Sequence, residues 1–93
     1  MDAAARKEIL SLSKMAHDLT ESSYQKDPSI RGESGWSEKQ RILLADMALH
    51  LLQTALRDGE LSEENLKRNL FSILTISDQF LPGYELKKAA ASL

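Results

Sequence analysis

The chain has 93 residues with a 42% hydrophobic fraction, 12 basic and 14 acidic side chains, and a net charge of -2. That is one domain's worth of chain with enough apolar content to fold, and no field of one sign strong enough to demand nucleic acid or an anionic membrane. The absence of cysteine excludes disulfides, thiolate metal sites and a cysteine nucleophile. No apolar run approaches the ~20 residues of a membrane span. The start, Met1-Asp2-Ala3-Ala4-Ala5-Arg6-Lys7-Glu8, lacks the order of a signal peptide, so a cytoplasmic protein with no membrane partner is expected.

The first helix is predicted over about 3–21. Ala5, Ile9, Leu12, Ala16 and Leu19 recur at spacings of four and three, and Met15 widens the stripe. The arc is about 120°, the width of a helix that packs on one side. Leu10 falls on the polar side, where a single exposed leucine needs no explanation.

From Ser22 to Trp36 the periodicity stops. The stretch holds a proline, two glycines and four serines, and Pro28 biases Asp27 out of the helical region. A loop over 22–36 is long for a small bundle. A crossover with anchored ends is the first reading, with Tyr24, Ile30 and Trp36 as anchors; a binding loop and a disordered segment are the others.

The second helix is predicted over about 38–58. Ser37-Glu38-Lys39-Gln40 fits a capping box, and Gly59 suits the left-handed position after the end. Its apolar residues sweep an arc of about 220°, leaving Asp46, His50, Gln53 and Arg57 on the narrow remaining face. A helix so apolar has to be covered on at least two sides. Leu44, Ala48, Leu51, Leu52 and Ala55 are therefore the expected dimer core, packed by a second copy of the chain.

The short link from Arg57 to Ser62 makes the second and third helices antiparallel neighbours. Ser62 is the expected N-cap, with Leu61 and Leu66 placed for a hydrophobic staple. The third helix is predicted over about 63–81, its stripe of Leu66, Leu70, Ile73, Leu74, Ile76, Phe80 and Leu81 covering about 160°. Pro82-Gly83 ends it. A short fourth helix over about 84–92, with Leu86, Ala89, Ala90 and Leu93 on one side, is expected to fray unless it docks. The fold class is all-α: a small antiparallel bundle of three main helices plus a short C-terminal one, completed by dimerisation.

Chemistry is sparse. His17 and Glu21 are four apart, and so are Asp46 and His50. Such pairs bind a metal if two helices bring them together. Asp46 and His50 lie on the polar face, opposite the expected core, so the reading is solvated helix faces and no metal, cofactor or catalytic residue. Lys67 and Arg68 are balanced by Glu63 and Glu64, and Lys87 with Lys88 is a pair rather than a stripe. Nucleic acid is an open but unfavoured partner.

The expected function is a small non-enzymatic protein-protein interaction module. It would act as a regulator, adaptor or inhibitor by binding another protein through helical apolar surface. Tyr24, Ile30, Trp36, Phe71 and Tyr84 are the candidate partner contacts, being aromatic or apolar without an assured core place. A dimeric DNA-associated regulator and a secretion or assembly chaperone are the alternatives. The segment from about Leu44 to Phe80, a leucine-rich helix, an Asp58-Gly59 turn, Leu61-Ser62 and a second leucine-rich helix, resembles the small enterobacterial biofilm and acid-stress regulators that form helical dimers. That resemblance implies a signalling connector or a DNA-associated regulator, and it carries over no functional residue.

Overall fold

The computed structural model describes residues 1–93 as four helices, α1 (Ala3–Lys26), α2 (Trp36–Leu56), α3 (Glu63–Ser77) and α4 (Leu86–Ala91). There are no strands, and the all-α reading holds. No helix is long and apolar enough to cross a membrane.

Local signals decide most helix ends. The Asp2 carboxylate accepts from the Ala5 amide at the start of α1, and the Ser62 hydroxyl accepts from the Asn65 amide at the start of α3. Each satisfies an amide that the first turn leaves unpaired. Gly59 takes the left-handed conformation, φ +89°, that lets the chain turn back after α2.

Each of the four helices differs from expectation at one end or both. First, α1 runs on to Lys26, because Asp27-Pro28 rather than the serines stops it. This shortens the connection to 27–35. Second, α2 begins at Trp36 behind Gly35, which offers no side-chain cap. The capping box at Ser37 does not form, because the Gln40 side chain is bonded to Gln79 instead. Third, α3 ends at Ser77, which leaves Phe80 and Leu81 outside the helix and exposed. Fourth, α4 is confined to Leu86–Ala91 and is held by Ala90, only 2% exposed.

The helices pack as a row. α1 packs on α2, α2 on α3 and α3 on α4, and no other pair touches. The result is a flattened row whose Cα atoms extend 45 × 32 × 16 Å. The radius of gyration is 14.9 Å, against about 12 Å for a compact domain of this length. Accessible surface is 6669 Å², against about 5,400 Å² for a compact monomer of this mass.

The most deeply buried positions are mostly polar. Of the six buried residues, only Ile76 and Ala90 are apolar; Ser13, Gln40, Asp46 and Thr54 are the others. On α1 the side turned to α2 carries Ser13, His17 and Thr20. Of the expected core stripe, Ala5, Ile9 and Ala16 are half-buried, but Leu12 and Leu19, with Met15 beside them, are 57%, 71% and 62% exposed. Conversely Leu10, expected in solvent, is half-buried. On α2, Asp46 and His50 face α1 rather than solvent, which overturns the reading of a solvated polar face.

Candidate functional site

The α1–α2 seam holds the densest group of ionisable side chains. The two helices run antiparallel: Arg6 near the start of α1 donates to the Leu56 carbonyl at the end of α2, at 2.6 Å. That bond satisfies an orphan carbonyl and sets a cation against the negative end of the α2 dipole. Midway along, His17 and Thr20 on α1 meet Asp46 and His50 on α2. Spacings of three and four keep each pair on one helical face.

The geometry is close. The Nε2 atoms of His17 and His50 are 2.9 Å apart, and the rings meet edge to face with centroids at 4.5 Å. His17 Nε2 is 3.4 Å from Asp46 Oδ1, and His50 Nε2 is 3.5 Å from Asp46 Oδ2. The Thr20 hydroxyl donates to Asp46 Oδ1 at 2.6 Å. Behind His17, its Nδ1 lies 3.6 Å from Glu21 and 3.8 Å from Asp18. These are charge contacts rather than hydrogen bonds. The Asp46 side chain is 7% exposed, that of His17 18%, and that of His50 40%. The cluster therefore opens to water on the His50 side.

Thr20 is no nucleophile here. Its hydroxyl is bonded to the carboxylate, and a nucleophile needs its bond to the base. Ser13, the buried serine, donates to its own helix at the Leu10 carbonyl. The chemistry the cluster offers is proton sharing or cation ligation.

The α2–α3 seam is neutral. Thr54 donates to Asn69, and Gln79 to Gln40 at 2.9 Å. Ile76, seven residues after Asn69 and so on its face of α3, is the buried apolar residue of this helix.

The five expected partner contacts are not gathered into one patch. Tyr24 is half-buried at the end of α1, with the Lys39 ammonium 4.8 Å from its ring centre. Trp36 is half-buried in a small cleft with Gln40, Gln79 and Phe80. Ile30 is 65% exposed and anchors nothing. Polar bonds hold the connection instead: Asp27 accepts from the Ser29 amide at 2.9 Å and Glu33 from the Ile30 amide at 2.7 Å. These Ser29 bonds, aided by the Lys39 charge, hold the Asp27 carboxyl below the usual carboxylate range. Phe71 lines an open cavity against α4 with Lys67, Arg68 and Leu93. Tyr84 is 72% exposed in the turn before α4. The expected dimer-core residues are all uncovered to some degree: Leu44, Leu51 and Leu52 are half-buried, Ala48 and Ala55 exposed. Arg68 is paired with Glu64 at 2.7 Å, so no free basic stripe forms along α3.

Sequence reasoning picked out the two four-residue pairs but missed their meeting. The signal was the second polar stripe, Ser13, His17 and Thr20, at the same spacing of three and four that marked the apolar one.

Compared with known proteins, the chain matches no family model, no curated protein and no solved structure. The resemblance of Leu44–Phe80 to small regulators rests on the hairpin alone.

Proposed function

We propose that this protein is a cytoplasmic, non-enzymatic protein-binding module, a regulator, adaptor or inhibitor, whose uncovered apolar helical face is its contact surface. One observation carries the reading: α1 turns its polar side to its own neighbour and its apolar stripe of Leu12, Met15 and Leu19 away from it. Burying a leucine or methionine is worth about 1.5–3 kcal/mol each. A stripe left in water forfeits that gain, which a partner can supply.

The first occupant is a second copy of the chain. The surface exceeds that of a compact monomer by roughly 1,200 Å², and a standard interface takes about 800 Å² from each partner. The exposed face of α2, with Ala48 and Ala55, is small enough in side chain to admit a helix closely. The dimer leaves Ile30, Phe71 and Tyr84 for the protein it regulates.

Sedimentation from low to high micromolar concentration tests this. The expected outcome is a dimer that Met15→Glu with Leu19→Glu converts to monomer, with helicity intact. A strictly monomeric mass throughout, with a cooperative melt, overturns the second-copy reading.

A further inference from the structure

We propose that His17, Asp46 and His50 form a binding site for a zinc-class divalent ion that clamps α1 to α2. The three donors come from one chain, and their ligand atoms all lie within 4.8 Å of one another. Zinc holds imidazole nitrogens and carboxylate oxygens at about 2.0–2.2 Å in a tetrahedron, which puts neighbouring donor atoms about 3.3 Å apart. The distances here are 2.9, 3.4 and 3.5 Å. The 3.4 and 3.5 Å contacts use different oxygens of Asp46, so an ion at the common centre needs that carboxylate either to bind through both oxygens or to turn one towards both imidazoles, within a donor set that spans no more than 4.8 Å.

The chemistry agrees with the distances. Two imidazoles and one carboxylate suit zinc and its neighbours in the first transition row, whereas magnesium and calcium take oxygen donors. Without an ion, the two Nε2 atoms share one proton, one ring donating to the other. An ion replaces that proton and uses both lone pairs, with Nδ1 protonated on each ring.

The surroundings fit as well. Asp46 is held by Thr20 at 2.6 Å, and His17 Nδ1 has Glu21 3.6 Å behind it. Carboxylates and hydroxyls in these places orient metal ligands and fix the imidazole tautomer. The His50 side chain, 40% exposed, leaves an entry path and room for water as fourth ligand. The site bridges α1 and α2 through the buried Asp46 and the half-buried His17 and His50, so an ion there stabilises the seam directly.

The test is zinc titration of untagged, chelator-stripped protein by calorimetry, with thermal melts alongside. We expect one zinc per chain and a Tm rise of at least about 5 °C at a hundredfold excess over Kd. His50→Gln and His17→Gln should each weaken binding at least about tenfold. Both variants keep a polar side chain, and circular dichroism checks that they fold. Three results overturn the proposal: no saturable one-to-one zinc uptake, equal uptake by folded His50→Gln, or an equal Tm rise with magnesium. The stoichiometry is per chain, so the result stands apart from whether the protein dimerises.

Discussion

The two seams of α2 solve the same problem with different chemistry. Towards α3 the polar contacts are neutral, Thr54 to Asn69 and Gln40 to Gln79. Each of these bonds pairs a neutral donor with a neutral acceptor, and the seam also holds Ile76 at 7% exposure. Towards α1 the contacts are ionisable, a buried carboxylate between two imidazoles. Both kinds of contact fix register, because directional bonds fail when a helix slips. Only the α1 seam has donor atoms that converge on one point. The neutral seam offers no metal-ligating set, whereas the ionisable one carries the residues of the proposed cation site.

The largest expected effect lies in the α2–α3 seam. Ile76→Ala should cost about 2–5 kcal/mol of unfolding free energy in urea. A loss under 1 kcal/mol would mean that this seam too is essentially polar, and the contrast would weaken.

Next in size is a paired test of the polar contacts. Thr54→Val alone leaves the Asn69 amide short of a partner and should cost about 1–3 kcal/mol, while Thr54→Val with Asn69→Leu should be close to neutral. The same manoeuvre across α1–α2, Thr20→Val with Asp46→Leu, should not recover, because both imidazoles lose the carboxylate that lies 3.4 and 3.5 Å from them and stay as polar groups in the seam. Recovery in both seams, read from a double-mutant cycle, would erase the distinction.

The smallest effect belongs to the connection between α1 and α2. Asp27 has its carboxyl held below the usual range, first by the Ser29 bonds and then by the Lys39 charge. A depressed native value means that the contribution is present above the unfolded pKa of about 3.9 and is lost as pH falls through the native one. Asp27 is only half-buried and solvent screens it, so the step in an acid titration should be small. Asp27→Asn should remove the acid step and lower the neutral-pH melt only slightly, because the contribution it deletes is small; an unchanged acid limb would show that the turn adds no stability.

The sequence by itself determined the four helices and where the first and third begin. Those signals are local: Asp2 and Ser62 bond within their own first turns, Pro28 blocks the helical conformation before it, and Gly59 takes a φ that other residues avoid. The excess of apolar surface was also legible, since an arc of about 220° on α2 exceeds what one neighbour covers. Which face meets which neighbour was not. The inference that apolar stripes turn inward fails for α1, because a single layer of helices encloses no interior to turn towards. The meeting of His17 with Asp46 and His50 depends on the rotation and register of two helices 29 and 33 residues apart in sequence at those contacts. Only the tertiary structure decides that, because the deciding bonds join residues that no local spacing relates.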